Sequence, residues 1–146
     1  MFFLLGESKV PAYSPLSTIP EVFMSISQTQ LDTIFPPEKS DRFFDALYGA
    51  AEDGAYTIRL ECTAQTPERL DCIFALHRRP GQCLVCQLTH GLPHVFRRHP
   101  VINAAGVAQE LAALAGWDPK TVRWEIGETI QKNDSLHLIP FTVSAV

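Results

Sequence analysis

Between Asp71 and Glu110 the sequence contains no acidic residue. The same interval holds Arg78, Arg79, Arg97 and Arg98 and four of the five histidines, so a chain of net charge −4 has one locally cationic segment and is acidic elsewhere. Other absences exclude whole classes of function. No apolar run approaches the ~20 residues of a membrane-spanning helix. The opening "MFFLL" has no basic flank and meets Gly6 and Glu7 after five residues, too short for a secretory signal. The expected location is therefore the cytoplasm, with no membrane contact, and the four cysteines are expected as reduced thiols rather than a disulfide framework. "GQCLVC" and "GLPHVF" lack the glycine spacing and the Lys-Ser/Thr ending of a phosphate loop, and neither H-E-x-x-H nor G-x-S-x-G occurs. Carboxylates such as Asp41 and Asp45, or Glu125 and Glu128, have only the spacing of surface pairs. No catalytic constellation and no cofactor are expected.

What is present is an ordinary globular composition, 46% hydrophobic and 19% charged, in a chain of 146 residues. That length suits one domain with a core of its own. Pro11, Pro15, Pro20, Pro36 and Pro37 punctuate the start, and proline removes backbone donors and fixes φ. Residues 1–37 are therefore expected as an extended arm that must bury Phe2, Phe3, Leu4, Phe23 and Ile26 on its own domain or on a second subunit. Residues 38–146 are expected as a single α+β domain.

Within that domain, "PPEKSDRFFDALYGAAEDG" spaces Phe43, Leu47 and Ala51 helically, predicting a first helix over 38–52 bounded by Pro37 and Gly54. "YTIRLEC" alternates with Tyr56, Ile58, Leu60 and Cys62 on one face, and "LDCIFALH" with Leu70, Cys72, Phe74 and Leu76. Pro80-Gly81 suits a type II turn, and "CLVCQL" reads as a third strand. "INAAGVAQELAALAG" predicts a second helix with a Val107, Leu111 and Leu114 stripe, capped by Asn103 and ended by Gly116. "VRWEIGETI" and "LHLIPFTV" close as a hairpin with Val122, Trp124 and Ile126 inward. The expectation is a mainly antiparallel sheet of about five strands, in order α-β-β-β-α-β-β with helices on one face.

Two constellations carry chemistry. Cys83, Cys86, His90 and His94 are spaced C-x2-C-x3-H-x3-H, a ligand set that tetrahedral zinc accepts. Geometry argues against it, since residues three apart on a strand face opposite ways and Pro93 would interrupt a helical histidine pair. The bland reading makes Cys62, Cys72 and Cys86 small core hydrophobes. A nucleophilic Cys83 or Cys86 with His90 as base lacks an orienting carboxylate nearby. The second constellation is cationic: if "HVFRR" folds back as a strand, Arg78, Arg79, Arg97 and Arg98 cluster at one end of the sheet, with His99 and a helix start close by. Arginine forks match phosphate and carboxylate, so these five residues are the candidate anion site, suited to a phosphorylated ligand or an acidic partner. Only Phe96 is interleaved with these arginines, which argues against nucleic acid.

The element order, size and acidity are similar to those of type III secretion chaperones. The apolar Pro-rich arm, the lack of a catalytic constellation and the small-residue helix point to a non-enzymatic, homodimeric protein-binding or chaperone-like domain, with the arm joining the subunits. The alternatives are a small anion, nucleotide or RNA-backbone binder using the arginines, and a zinc-stabilised domain.

Overall fold

The computed structural model describes residues 26–49, 54–84 and 89–145. Two helices come first, α1 (Gln28–Ile34) and α2 (Glu38–Tyr48), followed by strands β1 (Tyr56–Gln65) and β2 (Arg69–Arg78). A single 3-10 turn (Thr89–Gly91) leads into α3 (Leu92–Arg98) and then α4 (Ala104–Ala115). The chain ends in β3 (Arg123–Ile126), β4 (Ile130–Asn133) and β5 (Leu136–Ser144). The sheet is antiparallel in every pairing and runs β1-β2-β5-β3, with β4 also on β5. This is the expected α+β class with a five-stranded antiparallel sheet.

The alternation read from sequence sets which face is buried. Tyr56, Ile58 and Leu60 of β1, Leu70, Cys72, Phe74 and Leu76 of β2, and Ile139, Phe141 and Val143 of β5 all point into one core. The helices fill it from the other side with Leu31, Ile34, Phe43, Phe44, Phe96, Val107 and Leu111. Phe74 sits at the centre, its ring 5.4 Å from Phe35, 5.4 Å from Phe96 and 5.1 Å from Phe141. Helix α4 has the expected bounds: Asn103 Oδ1 accepts from Gly106 N–H, and Gly116 ends it at φ 83°. Ala104, Ala108 and Ala112 are buried, so this helix lies close on the sheet, whereas Leu114 is left exposed.

Four expectations meet a different local structure. The last part of the segment read as an extended arm is α1, started by a capping box in which Ser27 and Gln30 satisfy each other's backbone N–H groups; residues 1–25 lie outside the described residues. The first helix stops at Tyr48 because Gly49 takes φ 84° and returns its N–H to Asp45 O. Most of the third strand, residues 85–88, also lies outside the described residues, and "HVFRR" is helical rather than extended. Pro93 falls in the first turn of α3, where a missing N–H costs nothing, and Leu92 and Phe96 bury one face. Finally, the closing hairpin is three strands. β3 and β4 follow one another along the same edge of β5, broken opposite Pro140, which has no N–H to offer that edge. Pro140 O still accepts from Gly127 N–H at 2.9 Å, and the chain leaves the ladder over Gly127, Glu128 and Thr129.

The opposite edge of the sheet is sealed by side chains. Ser40, fully buried, accepts from Ile58 N–H at 2.8 Å, and Gln28 Nε2 donates to Leu60 O at 2.8 Å. These bonds satisfy β1 groups that would otherwise template another strand.

Candidate functional site

The break in the β3–β4 edge makes one wall of a cavity of about 320 Å³; helix α3 and the turn before it make the other. His90, Pro93, His94 and Arg97 face Ile126, Gly127, Glu128 and Thr129. His94 and Arg97 are three residues apart on α3 and so share a helix face. Arg97 Nη2 donates to Ile126 O at 2.7 Å, which ties the helix to the end of β3, and Arg97 also lines the cavity. A Cβ at position 127 would lie 3.2 Å from Pro140 Cβ, a tight approach that glycine avoids.

A buried polar chain supports this wall. Thr129 Oγ1 donates to Thr89 O at 2.7 Å, and Thr89 Oγ1 lies 2.6 Å from His137 Nδ1. Thr89 and His137 are each 1% exposed, and His137 Nε2 has no hydrogen-bond partner among the described residues. Burial lowers the His137 pKa, with His90 adding to the shift and Asp134 opposing it. The charged imidazolium is disfavoured there, since a second N–H, carrying charge, would meet no acceptor among the described residues. Thr89 and His137 stand at the distance of a nucleophile and its base, but both are sealed in the interior, and the pair serves to hold the turn against β5.

The sequence-derived anion residues are placed in three different neighbourhoods. Arg97 lines the cavity. Arg98 and His99 line a separate shallow groove with His94, Val95 and Pro100, and His99 packs edge-on to Phe43 at 4.9 Å. Arg78 and Arg79 lie at the far end of the sheet. Arg97 reaches Ile126, which is in register with Phe141, itself opposite Cys72; Arg78 is six residues along β2, about 20 Å away at strand rise. Arg79 is also engaged, paired with Asp41 at 2.7 Å and lying over the Phe44 ring. The expected convergence of four arginines thus does not form, because its premise, a strand through "HVFRR", is replaced by α3.

Of the zinc candidates, His90 and His94 line the cavity and Cys86 lies outside the described residues. Cys83 is in a disulfide, contrary to the expectation of reduced thiols, and a disulfide sulfur is not a thiolate ligand. Among the described residues no group of three or more His, Cys, Asp or Glu is placed to hold a metal ion. Among them, too, no helix is long and apolar enough to cross a membrane.

Sequence reasoning missed Thr89, Glu128, Thr129 and His137. For His137 a signal existed: in "LHLIPFTV" it shares the parity of Ile139, Phe141 and Val143, and a histidine on an apolar face needs a buried partner. No family model, no curated protein and no solved structure matches this chain.

Proposed function

We propose that this chain is a binding protein for a small anionic ligand, a phosphate or carboxylate compound, held in the cavity between α3 and the β3–β4 break. The observation that carries this reading is the cavity's composition. Its helical wall supplies Arg97, His90 and His94 and no carboxylate, because the chain from residue 72 to 109 has none; Glu128 on the facing loop is the single acid among the described lining residues. About 320 Å³ is at the small end for a ligand pocket, so the ligand is of metabolite size. A guanidinium fork oriented by its bond to Ile126 O suits bidentate recognition of an oxyanion.

Calorimetric titration with inorganic phosphate and with malonate tests it. Arg97→Glu should weaken binding by at least about tenfold, the worth of one charge-assisted contact, and His94→Ala should weaken it less. Arg78→Glu, at the far end of the sheet, should leave it unchanged. Equal losses for Arg78→Glu and Arg97→Glu, or no binding of either anion by the unmodified protein, would overturn the reading.

Self-association is a second reading, supported by a different surface. The sheet face turned away from the helices carries Ile73, Leu136, Leu138 and Pro140, all half-buried, and no described helix covers it. A second copy of the chain would extend burial there. Light scattering on the full chain should then give twice the monomer mass, and Leu138→Glu should return it to monomer. A monomer at every concentration tested would remove this reading.

A further inference from the structure

We propose that Cys62 and Cys72 are a reversible redox site, closing a disulfide across β1 and β2 by exchange with a low-molecular-weight disulfide. The ladder itself places them. Cys62 stands directly opposite Cys72, the last regular pair before the strand bulges and Ala64 takes the place opposite Asp71. Backbone bonding identifies the type of pair. Ile58 N–H and Leu60 O turn away from β2, to Ser40 and Gln28, while Arg79 N–H bonds Ala55 O across the strands. Even-numbered positions from 56 to 62 are therefore non-hydrogen-bonded pairs, in which Cα atoms lie about 4.5 Å apart and side chains are closest. A disulfide spans Cα separations of roughly 4.4–6.8 Å, so this pair can close without strand separation.

The two sulfurs differ in access and in acidity. Cys62 is half-buried at the bulge on the edge strand, whereas Cys72 is 3% exposed beneath it. Both are free thiols here and interact directly. Interaction with the Cys72 thiol lowers the Cys62 pKa to about 7, and the same interaction together with burial raises that of Cys72. Cys62 is thus the attacking thiolate and Cys72 the resolving thiol.

The exchange balances in two steps. The Cys62 thiolate attacks one sulfur of the small disulfide RSSR; a Cys62–SR bond forms, the S–S bond of the reagent breaks, and RS⁻ leaves and takes a proton from water. Consuming the Cys62 thiolate removes the charge that opposed ionisation of Cys72. Cys72 then gives up its proton, attacks Cys62 Sγ and expels the second RS⁻. The protein dithiol loses two electrons, and RSSR is reduced to two RSH.

Peptide mapping of the full chain tests this. Cleavage after Arg59, Arg69 and Arg78 puts the two cysteines on separate peptides, Leu60–Arg69 and Leu70–Arg78, so a Cys62–Cys72 bond appears as a linked pair. After incubation with oxidised glutathione the linked pair should dominate and should disappear on reduction with dithiothreitol. Cys72→Ser should instead accumulate glutathione on Cys62, and Cys62→Ser should leave Cys72 unmodified. In the untreated protein, iodoacetamide near pH 7.5 should label Cys62 at least about tenfold faster than Cys72, following thiolate content and access. Glutathione retained on Cys62 without a linked pair, equal labelling rates, or no reaction at either cysteine would each overturn the proposal.

Discussion

Phe74→Ala is expected to lower stability by about 3–5 kcal/mol, the usual cost of deleting a buried phenylalanine. Phe74 is fully buried on β2 and joins the two halves of the core, since Phe35 and Phe96 come from the helical layer and Phe141 from the neighbouring strand. Removing the ring opens a cavity that three other aromatic rings border and that rigid secondary structure cannot collapse to fill. Urea denaturation should show the midpoint shifted down with little change in slope. Ile130→Ala, at a position 49% exposed, is the control and should fall within about 0.5 kcal/mol of the parent. A Phe74→Ala loss as small as that of the control would mean that the sheet and helices do not share one core.

The second large effect is a loss of stability in acid arising at His137. Its folded pKa lies below the ordinary 6.5 because burial disfavours the imidazolium. Once the pH falls below about 6.5, the unfolded chain binds a proton there that the folded chain does not, so stability falls with falling pH until the folded pKa is reached. One such group contributes at most about 1.4 kcal/mol per pH unit. His137→Gln retains a polar side chain beside Thr89 but cannot titrate. Thermal denaturation between pH 7.5 and 5 should therefore give a steeper decline for the parent than for His137→Gln. Parallel curves would show that His137 charges freely in the folded protein, and the buried contact with Thr89 would then have to open.

How much of this was legible beforehand depends on the range of the interaction. The faces of β1 and β2 follow from alternation of apolar residues over four or five positions, and the bounds of α4 follow from Asn103 and Gly116, whose effects are local. "HVFRR", five residues directly after Pro93, fits a strand or a helical turn equally well, and packing of Leu92 and Phe96 on the core decides between them. Helix α1 was hidden by the prolines around it, although Ser27 and Gln30 were a local signal for its start.

The candidate site divides along the same line. An acid-free stretch with arginines and histidines is a property of the sequence alone, and so are the class of fold and the burial parity of Cys72 and His137. Which of the cations share a space is not, because it depends on strand register and on the break opposite Pro140, both set by pairing between residues far apart in the chain. Only the tertiary structure separates Arg97 from Arg78, gives His137 its contact with Thr89 and sets Cys62 against Cys72. Those juxtapositions arise when distant segments are packed together, and no local pattern records them.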